Sequence, residues 1–244
     1  MRDENRNPVE AEWRPLALHV DLSATAHRFY GAASSKAATL IEPLTPFVGV
    51  DAERRVFGTL GERLVESLSA VPMDEAALAE AVESAVVALF PSEWADRGHA
   101  FTISAVRLDL ESGRIWIANV GSNVVLGIRP EGTRRVLRSH SAASAENPEE
   151  MRATAPETPP GVATVAVSRP GDFKRSALTV VLSPTRDEWL VVLPESWPLV
   201  RGTVPRHRQT ADGMADEIHR LLDEAPMEPN RSFVLIAPPQ RGTH

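Results

Sequence analysis

The sequence contains no cysteine and hardly any lysine. Without cysteine the chain cannot form disulfide bonds, use a thiolate nucleophile or hold zinc through sulfur ligands. Lys36 and Lys174 are the only lysines among the 26 basic residues. This arginine bias is typical of a GC-rich bacterial genome and carries no information about activity. The missing cysteines fit a cytoplasmic protein, which is the location we expect.

Long apolar runs and a positive charge balance are also missing. No stretch approaches the roughly 18 apolar residues that a membrane-spanning helix requires, and residues 1–14 are too polar for a secretory signal. The formal net charge is −7 and the isoelectric point is about 5.6. Proteins that bind nucleic acids or anionic membranes usually carry a basic face. We therefore predict that neither is a partner.

Familiar catalytic motifs are absent too. The chain has no Gly-x-Ser-x-Gly elbow, no His-Glu-x-x-His pair and no glycine loop that could cradle a phosphate. Its seven histidines are scattered along the sequence. These motifs therefore assign no catalytic residue.

The length and composition indicate one folded domain. With 244 residues, 43% of them hydrophobic, the chain can bury a full core. We predict a polar tail over residues 1–14, a single domain over residues 15–238 and a second tail over residues 239–244. Residues 141–161 are rich in proline, alanine and acids without periodicity, which predicts a mobile loop inside the domain.

The segment over residues 114–126 is the most informative. Apolar residues alternate up to Ala118, the run Asn119-Val120-Gly121-Ser122-Asn123 interrupts them, and a β-branched run follows. This pattern predicts a hairpin. Residues 101–108 and 134–138 then extend it to a four-stranded antiparallel meander.

The remaining elements follow from periodicity. Two amphipathic helices are predicted on either side of Pro72, the second with Asp74 as its N-cap, and a third near the C-terminus. Further strands are predicted at residues 16–20, 38–41, 47–51, 162–167, 178–182, 189–193 and 232–237. The strand over residues 189–193 is wholly apolar, which predicts burial on both faces.

Two short segments carry a resemblance to a known family. Residues 117–126, followed by Arg138-Ser139-His140-Ser141, resemble the Asn-x-Gly-Asp-Ser turn and the Asp-His-Ser segment of the protein phosphatase 2C family, the metal-dependent Ser/Thr phosphatases. Ser122 and Ser139 stand where that family has aspartates. The resemblance implies an α+β fold, an α-β-β-α sandwich of two antiparallel sheets flanked by helices.

The resemblance also implies where metal ligands would lie. Asp51, at the end of the predicted strand 47–51, matches the family's first metal aspartate, although an acid that caps a turn is the alternative. Glu195, after the strand 189–193, matches a second. Pro229 stands where a third is expected, so the acid is lost there. Arg28, after the first strand, matches the arginine that holds the substrate phosphate, because a guanidinium binds phosphate oxygens in pairs; an ordinary surface arginine is the alternative.

These substitutions decide the functional prediction. The family's chemistry needs two divalent ions, manganese or magnesium, held by several carboxylates, and two acids do not suffice. We therefore predict an inactive phosphatase 2C-like protein without a cofactor, which regulates or binds a protein partner such as a phosphoprotein or a kinase. One alternative is a divergent metal-dependent phosphatase that uses Asp51 and Glu195. The other is a structural or assembly protein that binds a partner through residues 141–161 or the basic residues 201–209.

Overall fold

Two stacked antiparallel sheets with helices on their outer faces form the fold. The computed structural model describes residues 13–14, 17–21, 30–45, 50–89, 98–140, 165–185, 187–194, 207–208, 210–223, 232–238 and 240–241. The helices are α1 (Val50–Ala70), α2 (Glu75–Leu89), α3 (Asp172–Ser176) and α4 (Ala211–Asp223). The strands are β1 (Trp13–Arg14), β2 (Ala17–Asp21), β3 (Tyr30–Ala33), β4 (Ala37–Pro43), β5 (Phe101–Asp109), β6 (Arg114–Val120), β7 (Asn123–Arg129), β8 (Gly132–Leu137), β9 (Leu178–Leu182), β10 (Trp189–Pro194), β11 (Phe233–Ala237) and β12 (Gln240–Arg241).

The strands divide into two five-stranded sheets and a short ladder. The first sheet has the order β3-β4-β5-β6-β9 and the second has the order β2-β11-β10-β7-β8, with antiparallel neighbours throughout. β1 and β12, which lie in the segments predicted as tails, pair with each other. The predicted architecture of two antiparallel sheets flanked by helices is confirmed.

Apolar side chains fill three layers because the inner strands are covered on both faces. In β6, Ile115 and Ile117 face the second sheet, whereas Trp116 and Ala118 face α1 and α2. This alternation is the two-residue period of a strand, here with both faces apolar. α4 covers the outer face of the second sheet. β10 is buried from Trp189 to Leu193, as predicted.

The two helices on the first sheet lie where the apolar stripes predict them. Pro72 separates them, and the Asp74 Oδ1 atom accepts a hydrogen bond of 2.9 Å from the backbone N–H of Ala77, which confirms the predicted N-cap. α1 begins earlier than predicted, at Val50. The predicted strand over residues 47–51 is therefore wrong at Val50 and Asp51, and its first three residues lie outside the described ranges.

The predicted hairpin over residues 114–126 is wrong. β6 belongs to the first sheet and β7 to the second, so they are not paired with each other. β6 instead forms a hairpin with β5, and β7 forms one with β8. The alternation of apolar residues located both strands correctly, but it does not reveal which strands pair, because both faces of each strand are apolar.

Other predicted elements have mixed outcomes. The strand over residues 178–182 and the C-terminal helix are present as β9 and α4. Of the predicted strand over 162–167, the described part forms a single bridge between Val167 and Phe101. β3 and α3 were not predicted. The predicted mobile loop, residues 141–161, lies outside the described residues. No described helix has the length and apolar character needed to cross a membrane.

A buried carboxylate ties the β7–β8 hairpin to the start of β10. The Glu188 side chain is 1% exposed and accepts hydrogen bonds from Arg129 Nη2 at 3.0 Å and Arg134 Nε at 2.5 Å. A Cβ atom on Gly127 would lie 2.3 Å from Glu188 Oε1, so glycine leaves room for this carboxylate. Burial raises the pKa of Glu188, but the hydrogen bonds and charges of Arg134 and Arg129 outweigh it and hold the pKa below its ordinary value.

We expect Glu188→Gln to lower the free energy of unfolding by about 2 kcal/mol at neutral pH, because both arginines lose their charged partner. The pKa of Glu188 is lower in the folded state than in the unfolded state, where it is about 4.5, so ionised Glu188 stabilises the fold above pH 4.5. This contribution is lost as the pH falls through the folded-state pKa. Urea denaturation of both proteins, from neutral pH to below pH 4.5, measures the difference between their free energies of unfolding. Glu131→Gln is the control, since Glu131 is 71% exposed and 3.8 Å from Arg129; an equal loss in the control would contradict the assignment.

Candidate functional site

The chain crosses from one sheet to the other at Gly121 and Ser122, which we call the crossing turn. β6 ends at Val120 and β7 begins at Asn123. Gly121 has a φ of 122°, and a Cβ atom there would lie 2.3 Å from both Cβ and Cγ2 of Thr102. Only glycine combines that backbone conformation with so close an approach. The crossing turn therefore depends on Gly121.

Buried polar side chains hold the strands on both sides of the crossing turn. Ser104 Oγ donates to Asn119 Oδ1 at 2.9 Å, Asn119 Nδ2 donates to the Asn123 carbonyl at 2.6 Å, and Asn123 Nδ2 donates to Ser104 Oγ at 2.8 Å. All three residues are at most 1% exposed. Because buried hydrogen bonds are costly to break, this network fixes the spacing of β5, β6 and β7 at the turn.

His140 holds the crossing turn from the other side. Its backbone N–H donates to the Gly121 carbonyl at 2.7 Å, and the Gly121 N–H donates to His140 Nδ1 at 3.3 Å. Burial lowers the pKa of His140 below its ordinary value, although a hydrogen bond to the Ser176 backbone raises it in part. Nδ1 can accept a hydrogen bond only when the imidazole is neutral. The lowered pKa favours the neutral form and therefore the hydrogen bond from the Gly121 N–H.

Glu42 is the acid at the crossing turn. It lies near the end of β4, and its Oε2 atom accepts hydrogen bonds from Ser122 Oγ at 3.3 Å and Thr102 Oγ1 at 3.4 Å. Ser122 is 3% exposed and Thr102 is fully buried. Strand pairing explains the arrangement, because Glu42 stands opposite Thr102 in the first sheet. Among the described residues, the site thus combines one carboxylate with two neutral hydroxyl groups.

Of the sequence-predicted site residues, Asp51 alone lies in the part of the chain that the structure describes. Asp51 lies exposed in the first turn of α1, where a negative charge favourably opposes the helix dipole. Arg28 and Glu195 lie outside the described residues. The proposed metal roles of Asp51 and Glu195 and the phosphate role of Arg28 stay predictions.

Sequence reasoning missed Glu42, although a signal for it exists. Residues 37–41 form a run that is apolar except for Thr39 and that Glu42 and Pro43 end, so an acid stands at a strand end there. The prediction instead took the strand-terminal acid from the next apolar run, which leads into α1. Two similar runs follow each other, and only the strand pairing with β5 shows that the acid after the first run lies beside the crossing turn.

The described residues do not fit a two-ion metal centre. Magnesium and manganese need several oxygen ligands, usually with more than one carboxylate. At the crossing turn the single carboxylate of Glu42 already accepts hydrogen bonds from both neighbouring hydroxyl groups. Across the described ranges, no three acidic or histidine side chains are grouped so that they could hold a metal ion.

Comparison with known proteins supports the fold. No protein-family model and no curated protein matches the sequence. The PPM Ser-Thr phosphatase MsPP from Mycobacterium smegmatis, solved with cacodylate, is 16% identical, with a TM-score of 0.63 over 95% of this chain and 100% of that chain. The catalytic domain of the phosphatase PstP, solved with 2 manganese ions, is 12% identical (TM-score 0.57; 92% and 97%). Stp1 from Staphylococcus aureus is 13% identical (TM-score 0.60; 96% and 98%).

We expect Gly121→Ala to lower the free energy of unfolding by about 3 kcal/mol, because the new methyl group clashes with Thr102 and the backbone is strained. Gly132→Ala is the matched control: Gly132 also has a positive φ, 147°, but nothing lies within 4 Å of its Cβ position. We expect about 1 kcal/mol for this control. Urea denaturation measures both values, and equal losses would show that the approach to Thr102 is unimportant.

Proposed function

We propose that this chain, which has the fold of the PPM Ser/Thr phosphatases, is a regulatory module that binds a phosphoprotein or another protein partner without dephosphorylating it. The observation that carries the proposal is the crossing turn. Ser122 supplies a hydroxyl group where the sequence resemblance expects an aspartate, and it donates a hydrogen bond to Glu42. The crossing turn keeps its hydrogen bonds with serine at residue 122, whereas the negative charge that a metal centre requires is smaller than it would be with an aspartate there.

The physical argument concerns charge. Metal-assisted phosphoryl transfer needs ions that lower the pKa of a bound water and offset the negative charge of the phosphoryl group. A carboxylate ligand helps to neutralise such an ion, whereas a serine hydroxyl does not. Replacing Asp by Ser at residue 122 therefore removes one negative charge from the site, and Pro229 removes a second at the position that the resemblance assigns.

A second candidate function rests on Glu42. Its carboxylate lies beside the crossing turn and could act with Asp51, Glu195 or other acids in a divergent metal-dependent phosphatase. In that case Ser122 and Thr102 would have to release Glu42 before it could bind an ion. The next experiment separates the two functions.

Calorimetric titration of manganese into metal-free protein tests the first part of the proposal. We expect no binding of two ions at millimolar manganese and no release of phosphate from a phosphoserine peptide, because a single carboxylate, that of Glu42, stands at the described part of the site. Glu42→Gln and Asp51→Ala are the companion variants. Two-ion binding that either variant abolishes, together with phosphate release, would establish the enzyme instead.

Binding of a phosphoserine peptide tests the second part. We expect the phosphorylated peptide to bind at least about tenfold more tightly than its unphosphorylated form, and Arg28→Ala to remove that difference, because a guanidinium pairs with phosphate oxygens. Arg114→Ala is the control for the loss of one positive charge, since Arg114 is exposed at the start of β6. Fluorescence anisotropy with labelled peptides measures the affinities. Equal binding of both peptides would reject phosphate recognition and direct the search to partners recognised by other chemistry.

A further inference from the structure

An open groove lies between β3 and α1, on a different part of the surface from the crossing turn. Its volume is about 510 Å³, and its lining residues are Ala32, Ala33, Ser34, Glu62, Val65, Glu66, Ser69 and Ala70. On the β3 side the groove is lined by small side chains, and on the α1 side it is lined by residues from one face of the helix. A hydrogen bond of 3.2 Å between the hydroxyl groups of Ser34 and Ser69 joins the strand to the helix at one end.

The two sides of the groove are held firmly in place. The rings of Tyr30 and Phe57 stack with centroids 5.7 Å apart, and the Tyr30 hydroxyl donates to Glu53 Oε1 at 3.0 Å. α1 approaches β3 closely at Gly61, where a Cβ atom would lie 3.5 Å from the Ala32 nitrogen. The groove is therefore part of the folded structure and needs no rearrangement to form.

β3 is an edge strand of the first sheet. The backbone N–H of Ser34 donates to the Ala37 carbonyl at 2.8 Å, toward β4. Backbone groups of successive residues in a strand point to opposite sides, so those of Ala33 and Gly31 point away from β4. No described strand pairs with that side. An edge of this kind is a template for another strand.

The groove also carries uncompensated negative charge. Glu62 and Glu66 are exposed, stand four residues apart on α1, and have no cation within ion-pair distance in the described part of the chain. Like charges at this spacing repel each other and destabilise a helix. A cationic partner would relieve this repulsion.

The spacing of these charges matches an extended peptide. Four residues of helix advance by about 6 Å, and alternate residues of a strand, which share one face, are about 6.6 Å apart. A strand added beside β3 can therefore place positive side chains at every second position against Glu62 and Glu66. The small side chains of Ala32 and Ala33 leave room for its backbone.

We propose that the groove between β3 and α1 binds an extended, basic segment of a partner protein, which adds to the first sheet as a strand next to β3. Main-chain hydrogen bonds to the edge supply affinity, and Glu62 and Glu66 select alternating lysine or arginine side chains. This proposal does not depend on phosphate recognition, because the groove residues that carry it lie on β3 and α1 and none of them belongs to the crossing turn.

The test uses a short labelled peptide in which lysine alternates with valine, added to the full chain at low salt. We expect it to bind, a glutamate–valine counterpart not to bind, and added salt to weaken the binding. The double variant Glu62→Lys/Glu66→Lys should lose at least about tenfold in affinity. Glu62→Gln/Glu66→Gln, which keeps the side-chain shape, should show a smaller loss in the same direction.

Two controls make the result decisive. Glu111→Lys/Glu131→Lys changes the net charge by the same amount at exposed turn residues elsewhere and should bind like the unmodified chain. A peptide methylated on every backbone nitrogen cannot donate main-chain hydrogen bonds to the edge and should not bind. The proposal is wrong if the peptide fails to bind, if the control variant loses as much affinity, or if methylation has no effect. The phosphoserine experiment is unaffected by any of these outcomes.

Discussion

The structure depends on the way the chain passes from one sheet to the other at Gly121 and Ser122. The passage works because Gly121 has no side chain and can lie against Thr102. It is supported by the buried network of Ser104, Asn119 and Asn123 and by the contacts of His140. Since β6 and β7 are inner strands of different sheets, any change in this passage alters how the two sheets stack.

The same passage shows that the fold at the crossing turn does not depend on an acid at residue 122. The contacts that fix the crossing turn come from glycine geometry, amide groups and backbone hydrogen bonds, and none of them needs an acid at residue 122. Ser122 occupies this position, and its hydroxyl group donates a hydrogen bond to Glu42. Shape and charge are thus separable here, because the contacts that fix the crossing turn do not involve the charge of residue 122.

The sequence predicted the positions of the helices and strands better than it predicted which strands pair with each other. Apolar stripes located α1 and α2, and the Asp74 N-cap was readable because its mechanism is local. The pairing of β6 with β7 was mispredicted because its neighbours in the chain, β5 and β7, both look like hairpin partners, and apolar residues on both faces of each strand do not show which neighbour pairs. β3 escaped prediction because Gly31, Ala32 and Ala33 carry little apolar pattern; its strand conformation is imposed by pairing with β4.

For the site, the sequence alone located the turn residues through their local pattern, and its resemblance to the phosphatase 2C family predicted the general fold. Only the tertiary structure decided which acid stands at the crossing turn. Glu42 and Asp51 each follow an apolar run, but β4 pairs with β5 and carries Glu42 to Thr102 and Ser122, whereas Asp51 is carried into the first turn of α1. The physical reason is that long-range strand pairing, which no local pattern encodes, sets which side chains share a site.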